Sequence, residues 1–449
     1  MNPPAPAPPI HPTLLRIARS LPGLPGGIGP AYVEGWLHRH RAAITPLLHR
    51  SLPRLKLVEL FAGIGGLGSG LERALGAVTI LQAEGVAERR RILHRHFPLA
   101  LQVDDVHDLL DMSPPDDPDS LVVAGGFPCR GASRANVRGP RGLAHPGTGL
   151  WSVFSQVIHN WQPALVIWEN VTPLRSRGMV QVLADLDHAG YNALWGVLKA
   201  SDFGAPHERA RIFCIARRRG LMPMEVLTHP PRTAWLPWES PIPDNDPHTP
   251  GRAARVTALG DAVLPIAAWT VGTTAARMLA GWWPTGARSN SAPLPPTMGT
   301  LINGEISALP SSPYVLPNRS IFQRFVTIDE HSENPGACGF SISPPLVGRV
   351  LWESSEQVDV ELPGGDVQPF PASWARDLWP TPTANDGRNR GAASQWRRHQ
   401  PGLNVLAQAN TCPRDEWAVG EALVDLFAGQ GIGPGLTEWV MGFPLGWTG

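Results

Sequence analysis

Residues 55–75 read LKLVELFAGIGGLGSGLERAL. The apolar start predicts a buried strand over residues 55–60, the glycines predict a turn over 61–70, and residues 71–75 continue as helix. Gly63-x-Gly65-x-x-Gly68 lets backbone approach a nucleotide-like ligand, and Glu84, ending a second strand over 78–84, can take ribose hydroxyls. Taken alone this is a dinucleotide fingerprint, so a nicotinamide-dependent oxidoreductase stays open here, as does a glycine turn that merely packs.

Further strands are expected at 121–124, 164–169, 194–199 and 212–216, with helical stretches between them and an arginine-studded helix over 86–97. Strands alternating with helices predict an α/β fold with a doubly wound, mostly parallel sheet. Ligands bind such sheets at the carboxyl ends of the strands. Chemistry-bearing side chains fall at those ends. The run LVVAGGFPCRGAS (121–133) sets Cys129 just past a strand behind a stiff Phe-Pro turn, either as a buried thiol or as a nucleophile. Glu169 ends the strand carrying WENV, where a carboxylate needs a partner and should titrate high, as a salt-bridged core-edge residue or as an acid. Arg209 and Arg211 of PHERARIF alternate onto one face, where they could grip phosphate or a carbonyl oxygen or form a surface pair. Asp104-Asp105 could reach an adenine amino group or sit in a solvated turn.

The 449 residues carry 38 basic and 38 acidic side chains, so no global field draws the chain onto nucleic acid, and contact with DNA needs a local basic face. Lysine occurs only at Lys56 and Lys199; the arginine that replaces it suits phosphate and guanine contacts. The cysteines Cys129, Cys214, Cys338 and Cys412 lack paired-ligand spacing, which argues against a disulfide framework or a metal site and for a reducing cytoplasm. No apolar run reads as a membrane span, and the PPAPAPP start lacks a signal-peptide core. Residues 1–52 read as an extension, 53–284 as the catalytic domain, 285–435 as a smaller irregular region, and 436–449 as an ordered block returning to that domain. An apolar helix is expected over 262–282, entered through Ala258-Leu259-Gly260-Asp261. The run LVDLFAGQGIGPGLTE (423–438) echoes 57–72, but almost no chain follows it, so it reads as a loop or helix end.

In order, LFAGIGG, the acid ending the second strand, GGFPC, ENV and PHxRxR resemble the cytosine-C5 methyltransferase family over roughly residues 55–270. GDAVLP (260–265) and the terminal LTE…GFP (436–444) extend the likeness. The resemblance implies a Rossmann-like fold, S-adenosylmethionine as cofactor and cytosine in double-stranded DNA as substrate. It makes Cys129 the nucleophile on C6, Glu169 the group on N3 and the exocyclic amine, and Arg211, with Arg209 behind it, the holder of the base carbonyl. It sets Phe61 on adenine, Gly63, Gly65 and Gly66 beneath the methionine part, Glu84 on the ribose and Asp105 at the adenine amine, with Pro128, Asp261 and Val263 closing the pocket. The loop 130–149 would close over an extruded base. Target recognition would be displaced to 285–435, with the tract 379–404 its best candidate, an order like that of phage and prophage members. A cytoplasmic monomer on DNA, away from membranes and alongside a restriction endonuclease, is implied. A tRNA cytosine-C5 methyltransferase and a weakened DNA-binding relic are the alternatives. The sequence departs from the family pattern at Phe127, Arg130, His207 and Asp261, where Pro, Gln, Gln and Asn are usual.

Overall fold

Strand β1 (Lys56–Leu60) lies between β2 (Val78–Ala83) and β4 (Leu121–Gly125), parallel to both, with Leu60 in register with Ala83 and with Gly125. The computed structural model describes residues 55–128, 150–203, 205, 207, 209–226, 228–231, 248–284, 287–288, 295–316, 324–328, 346–353, 356–361, 367–371, 375–376 and 433–449. Cys129, the loop 130–149, the tract 379–404 and the extension 1–52 lie outside the described residues.

The central sheet runs in the order β3-β2-β1-β4-β5-β7-β6-β9-β10-β8. Here β3 is Leu101–Val103, β5 Leu165–Val171, β6 Tyr191–Leu198, β7 Arg211–Arg218, β8 Ala287–Arg288, β9 Gly299–Ile302 and β10 Glu305–Ala308. Strands β1 to β5 pair in parallel, and β7 enters antiparallel between β5 and β6. The order reverses between β1 and β4, the place where an open α/β sheet forms a crevice at its carboxyl edge. Leu121, Val122, Val123 and Ala124 are wholly buried, and full burial of an aliphatic side chain contributes about 1.5–3 kcal/mol. Covering helices account for that two-sided burial.

Those helices are α1 (Gly66–Leu75), α2 (Ala87–His96), α3 (Leu150–Trp161), the short α4 (Leu174–Arg177), α5 (Met179–His188), α6 (Arg252–Asp261) and α7 (Pro265–Leu279). Helix α1 begins at Gly66, earlier than the glycines suggest. Gly66, Gly68 and Gly70 are helical, and each faces a neighbour that leaves no room for a Cβ: the Val263 carbonyl, the Glu59 carboxylate and the Pro265 carbonyl. Gly272 of α7 meets Ala74 in the same way, so small residues bring α1 and α7 into close contact. The single apolar helix expected over 262–282 is two helices, α6 and α7, with Ala262–Leu264 as the break and Pro265 at the start of α7. By length and apolarity residues Arg252–Leu279 could cross a bilayer, yet 72% of their most apolar window is buried inside the protein.

Residue 284 is not where the central sheet ends. Strand β9 pairs with β6 from Ala193↔Leu301 to Trp195↔Gly299, covering an edge that would otherwise expose unpaired backbone groups. Tyr314 donates its hydroxyl to the Phe213 carbonyl at 2.8 Å, carrying the same packing further along the chain. Nor is the later region wholly irregular. It holds an antiparallel sheet of order β14-β13-β12-β11-β15, formed by β11 (Arg324–Ile328), β12 (Leu346–Glu353), β13 (Gln357–Glu361), β14 (Val367–Pro371) and β15 (Ala375–Arg376). At the end of the chain α8 (Pro434–Val440) buries Leu436, Trp439 and Val440.

Candidate functional site

At the carboxyl end of β1 the chain turns sharply. Phe61 takes φ +56°, a left-handed conformation rare for a bulky side chain, and its half-buried ring lies 6.4 Å from that of Phe154. The glycine turn follows, and its glycines have separate jobs. At Gly63 (φ +59°) a Cβ would find nothing within 4 Å, so this residue borders open space. Gly65 (φ +81°) caps α1 with the Phe97 ring 2.3 Å from where a Cβ would sit, and at Gly66 the Val263 carbonyl would be at 2.1 Å. Gly65 and Gly66 therefore serve close packing, and of the three Gly63 alone faces a space that a ligand could enter.

Glu84 follows β2. Its carboxylate accepts the Gly63 N–H at 2.8 Å and the Val86 N–H at 2.9 Å, which fixes the acid against the glycine turn. Asp105, after β3, is spent on its own turn: it accepts the His107 N–H at 2.9 Å and meets the His107 ring Nδ1 at 2.7 Å. Those hydrogen bonds hold its carboxyl below the ordinary range, although it is exposed.

At the ends of β4 and β5 the second cluster forms. A Cβ at Gly125 would lie 2.6 Å from the Leu60 carbonyl, so the two central strands meet closely there. One residue on, a Cβ at Gly126 would lie 3.2 Å from Glu169 Oε2. The Glu169 carboxylate thus sits over the backbone leading into Phe127 and Pro128. Asn170 Nδ2 donates to the Phe127 carbonyl at 3.0 Å, tying ENV to the Phe-Pro turn. The Phe127 ring packs on Trp151 at 5.1 Å and Trp168 at 6.0 Å. Asn170 belongs to the ENV motif, and the signal for its role is an amide that follows a functional acid on a strand ending beside a turn.

Arg211 opens β7 opposite Val171, and its Nε lies 3.0 Å from Glu169 Oε1. Burial pushes the Glu169 carboxyl above the ordinary carboxylate range, opposed by the Arg211 and Arg209 charges. Arg209 is buried and differently engaged. Its guanidinium donates to the Gly260 carbonyl at 3.1 Å and the Ala262 carbonyl at 2.7 Å. The two guanidiniums therefore play different parts, Arg211 meeting the acid while Arg209 holds the GDAV turn. Glu169, Arg209, Arg211 and Val263 line one small cavity, which joins the acid cluster to the turn packed on Gly66.

Two of the residues that depart from the pattern, His207 and Asp261, have partners. His207 Nε2 donates to the Val440 carbonyl at 2.9 Å, and burial drives its pKa down to about 3, so the ring is neutral. Asp261 Oδ2 accepts from Arg89 Nη2 at 2.5 Å. Other contributors lie outside the sequence motifs. Buried Glu59 accepts the Gly68 N–H at 2.9 Å and the Gln82 side-chain amide at 2.8 Å, beneath the start of α1. Trp447 donates its indole N–H to the Ile64 carbonyl at 2.9 Å and stacks on His96 at 3.6 Å, so the terminal block supports the glycine turn. A buried acid in an apolar strand could have flagged Glu59; Trp447 could not be found without the fold.

Residues 55–263 match the family described as C-5 cytosine-specific DNA methylase. The Type II methyltransferase M.CviJI of Paramecium bursaria Chlorella virus IL3A is 31% identical over 42% of this chain and 50% of its own length. M.Sau3AI of Staphylococcus aureus is 30% identical over 37% of this chain and 44% of its own length. The chain thus spans about half the length of the curated relatives it matches. A solved S. pombe Dnmt2 methyltransferase aligns at 21% identity with a TM-score of 0.30, over 36% of this chain and 49% of that one.

Proposed function

We propose that this protein, whose residues 55–263 match the C-5 cytosine-specific DNA methylase family, transfers a methyl group from S-adenosylmethionine to C5 of cytosine in double-stranded DNA. The observation that carries the reading is the Glu169 carboxylate, paired with Arg211 and lying over Gly126, a short step along the chain from Cys129. Its elevated proton affinity suits an acid that hydrogen-bonds a ring nitrogen.

The residues around the glycine turn fit the cofactor. Gly63 borders open space, Glu84 is fixed beside it with a carboxylate able to accept ribose hydroxyls, and the half-buried Phe61 ring offers a stacking face. When bound, S-adenosylmethionine supplies an electrophilic methyl group on a sulfonium. Everything else falls to the chain and the base. Cytosine C5 is a poor nucleophile until C6 is attacked, and a thiolate suits that attack. Cys129 forms a carbon–sulfur bond to C6 while Glu169 holds N3 and the exocyclic amine, and the electron pair moves to C5. General acid assistance of this kind typically contributes ~10²–10⁴ in rate. Arg211 holds the acid and the base carbonyl in register, and Arg209 keeps the GDAV turn in place beside them. After C5 has gained its methyl group, a base removes the C5 proton and the Cys129 sulfur leaves. Inside a duplex the base must first be extruded, at a cost of a few kcal/mol.

Two measurements test this. Bisulfite sequencing of DNA from cells expressing the protein should show protected cytosines at a defined site, and Cys129→Ser should abolish both protection and the trapped adduct with 5-fluorocytosine DNA. Methyl transfer that persists in Cys129→Ser overturns the assignment, and transfer to tRNA alone would replace the substrate.

A further inference from the structure

The glycine turn lies between two pieces of chain that an ion pair joins. On one side Gly63 is bonded to Glu84, and α2 rises directly behind that acid with Arg89 in its first turn. On the other side Gly66 abuts the Val263 carbonyl, with Asp261 two residues earlier at the end of α6. Arg89 Nη2 and Asp261 Oδ2 meet at 2.5 Å, closing a ring around the turn. Both charges are reachable: the Asp261 side chain is 47% exposed and that of Arg89 18%. Arg209 holds the backbone on both sides of Asp261, through the Gly260 and Ala262 carbonyls, so the carboxylate stands on a fixed turn.

We propose that Arg89 is a cofactor-binding residue and that Arg89 and Asp261 together receive the zwitterionic amino-acid end of the methyl donor. The inference rests on the reading of the glycine turn as a sulfonium-cofactor site. An α-amino acid carries a carboxylate and an ammonium separated by one carbon, matching an arginine and an aspartate in contact. The guanidinium takes the carboxylate through its planar fork, and the Asp261 carboxylate takes the ammonium. Exchanging one ion pair for two leaves the local charge neutral, so no unpaired charge is created on binding. An asparagine at 261 would leave Arg89 facing the turn without an anion, whereas the aspartate supplies both halves of the match.

Calorimetry on the full chain with two probes decides the matter. S-adenosylhomocysteine carries the amino-acid end, and 5′-methylthioadenosine keeps the nucleoside and thioether without it. Arg89→Met should weaken S-adenosylhomocysteine about tenfold to a hundredfold and leave 5′-methylthioadenosine unchanged, because a charge-assisted contact is lost for one probe only. Equal loss for both probes would make the pair a structural tie and overturn the proposal, as would no loss for either. If Arg89→Met does not fold, Asp261→Asn carries the same test: selective weakening of S-adenosylhomocysteine supports it, and equal affinity for both proteins overturns it. Failure of the unaltered protein to bind either probe overturns the sulfonium-cofactor reading itself, and this inference with it.

Discussion

Glu169 and Arg211 meet diagonally across the antiparallel β5–β7 ladder, where Glu169 lies opposite Phe213 and Arg211 opposite Val171, with Oε1 and Nε 3.0 Å apart. The side chains are 11% and 24% exposed, so this is a largely buried ion pair at a sheet edge. Burial raises the proton affinity of the acid and the Arg211 and Arg209 charges lower it, with burial the larger effect. Glu169→Gln should therefore keep the fold and lower methyl transfer by ~10²–10⁴, the range of general acid assistance. Arg211→Ala should lower transfer and also cost about 3 kcal/mol of stability, because it leaves a buried carboxylate without its cation. Denaturant titrations run beside single-turnover assays check this; unchanged transfer in Glu169→Gln would remove the acid from the mechanism.

The glycines of the turn should separate cleanly on substitution by alanine. At Gly63 the added methyl enters open space, so the loss is about 1 kcal/mol from the left-handed backbone, together with weaker cofactor binding. At Gly66 it would meet the Val263 carbonyl, a backbone atom that cannot step aside, and overpacking of this kind costs ~3 kcal/mol. Thermal melts with and without S-adenosylhomocysteine distinguish a filled cradle from a forced-open contact. Comparable melting losses for the two variants would contradict the division of labour.

Much of this is legible in the sequence. Short-range signals carried the fold: an apolar run ending on glycines, acids at strand ends, and helices between strands. Those signals brought Phe61, Gly63, Glu84 and Glu169 to one sheet edge. What stayed illegible depends on contacts between distant segments. Gly66 and Gly70 look like turn residues until the Val263 and Pro265 carbonyls are seen above them. Arg209 and Arg211 look equivalent by alternation, and only the position of the GDAV turn separates them. The edge pairing of β6 with β9 joins residues over a hundred apart, which no local period encodes.

The terminal block offers a third test. Glu438 is wholly buried, and its carboxylate accepts the Gly446 N–H and the Thr448 N–H, each at 2.7 Å, with Arg255 3.5 Å away. These bonds fold the last residues back so that Trp447 reaches Ile64 in the glycine turn. Glu438→Ala should cost about 3 kcal/mol, since it strands several buried donors at once. Trp447→Phe keeps an aromatic ring and drops one hydrogen bond, for a loss near ~1 kcal/mol. Both should also weaken S-adenosylhomocysteine in calorimetry, because each loosens the same turn. Unaltered binding in Glu438→Ala would show that the block only packs.

Two buried groups give the stability a pH dependence with opposite slopes. Burial pushes Glu59 up from 4.5 to about 7, so the folded protein holds a proton there that the unfolded chain has released. Its contribution is complete below pH 4.5 and is lost as the pH rises through about 7. Burial pulls His207 down from 6.5 to about 3, so the folded protein excludes a proton that the unfolded chain accepts. That contribution is present above pH 6.5 and is lost as the pH falls toward 3. At about 1.36 kcal/mol per pH unit the narrower Glu59 window corresponds to about 3 kcal/mol and the wider His207 window to about 5 kcal/mol. Glu59→Gln, uncharged throughout, should flatten the decline between pH 4.5 and 7 and leave the acid limb in place. His207→Gln should do the reverse, sparing the neutral range and softening acid unfolding, because glutamine can still donate to the Val440 carbonyl. Urea midpoints measured across this pH range for the parent and both variants test the assignment. If either variant reproduces the parent curve in its own window, that group does not control the titration.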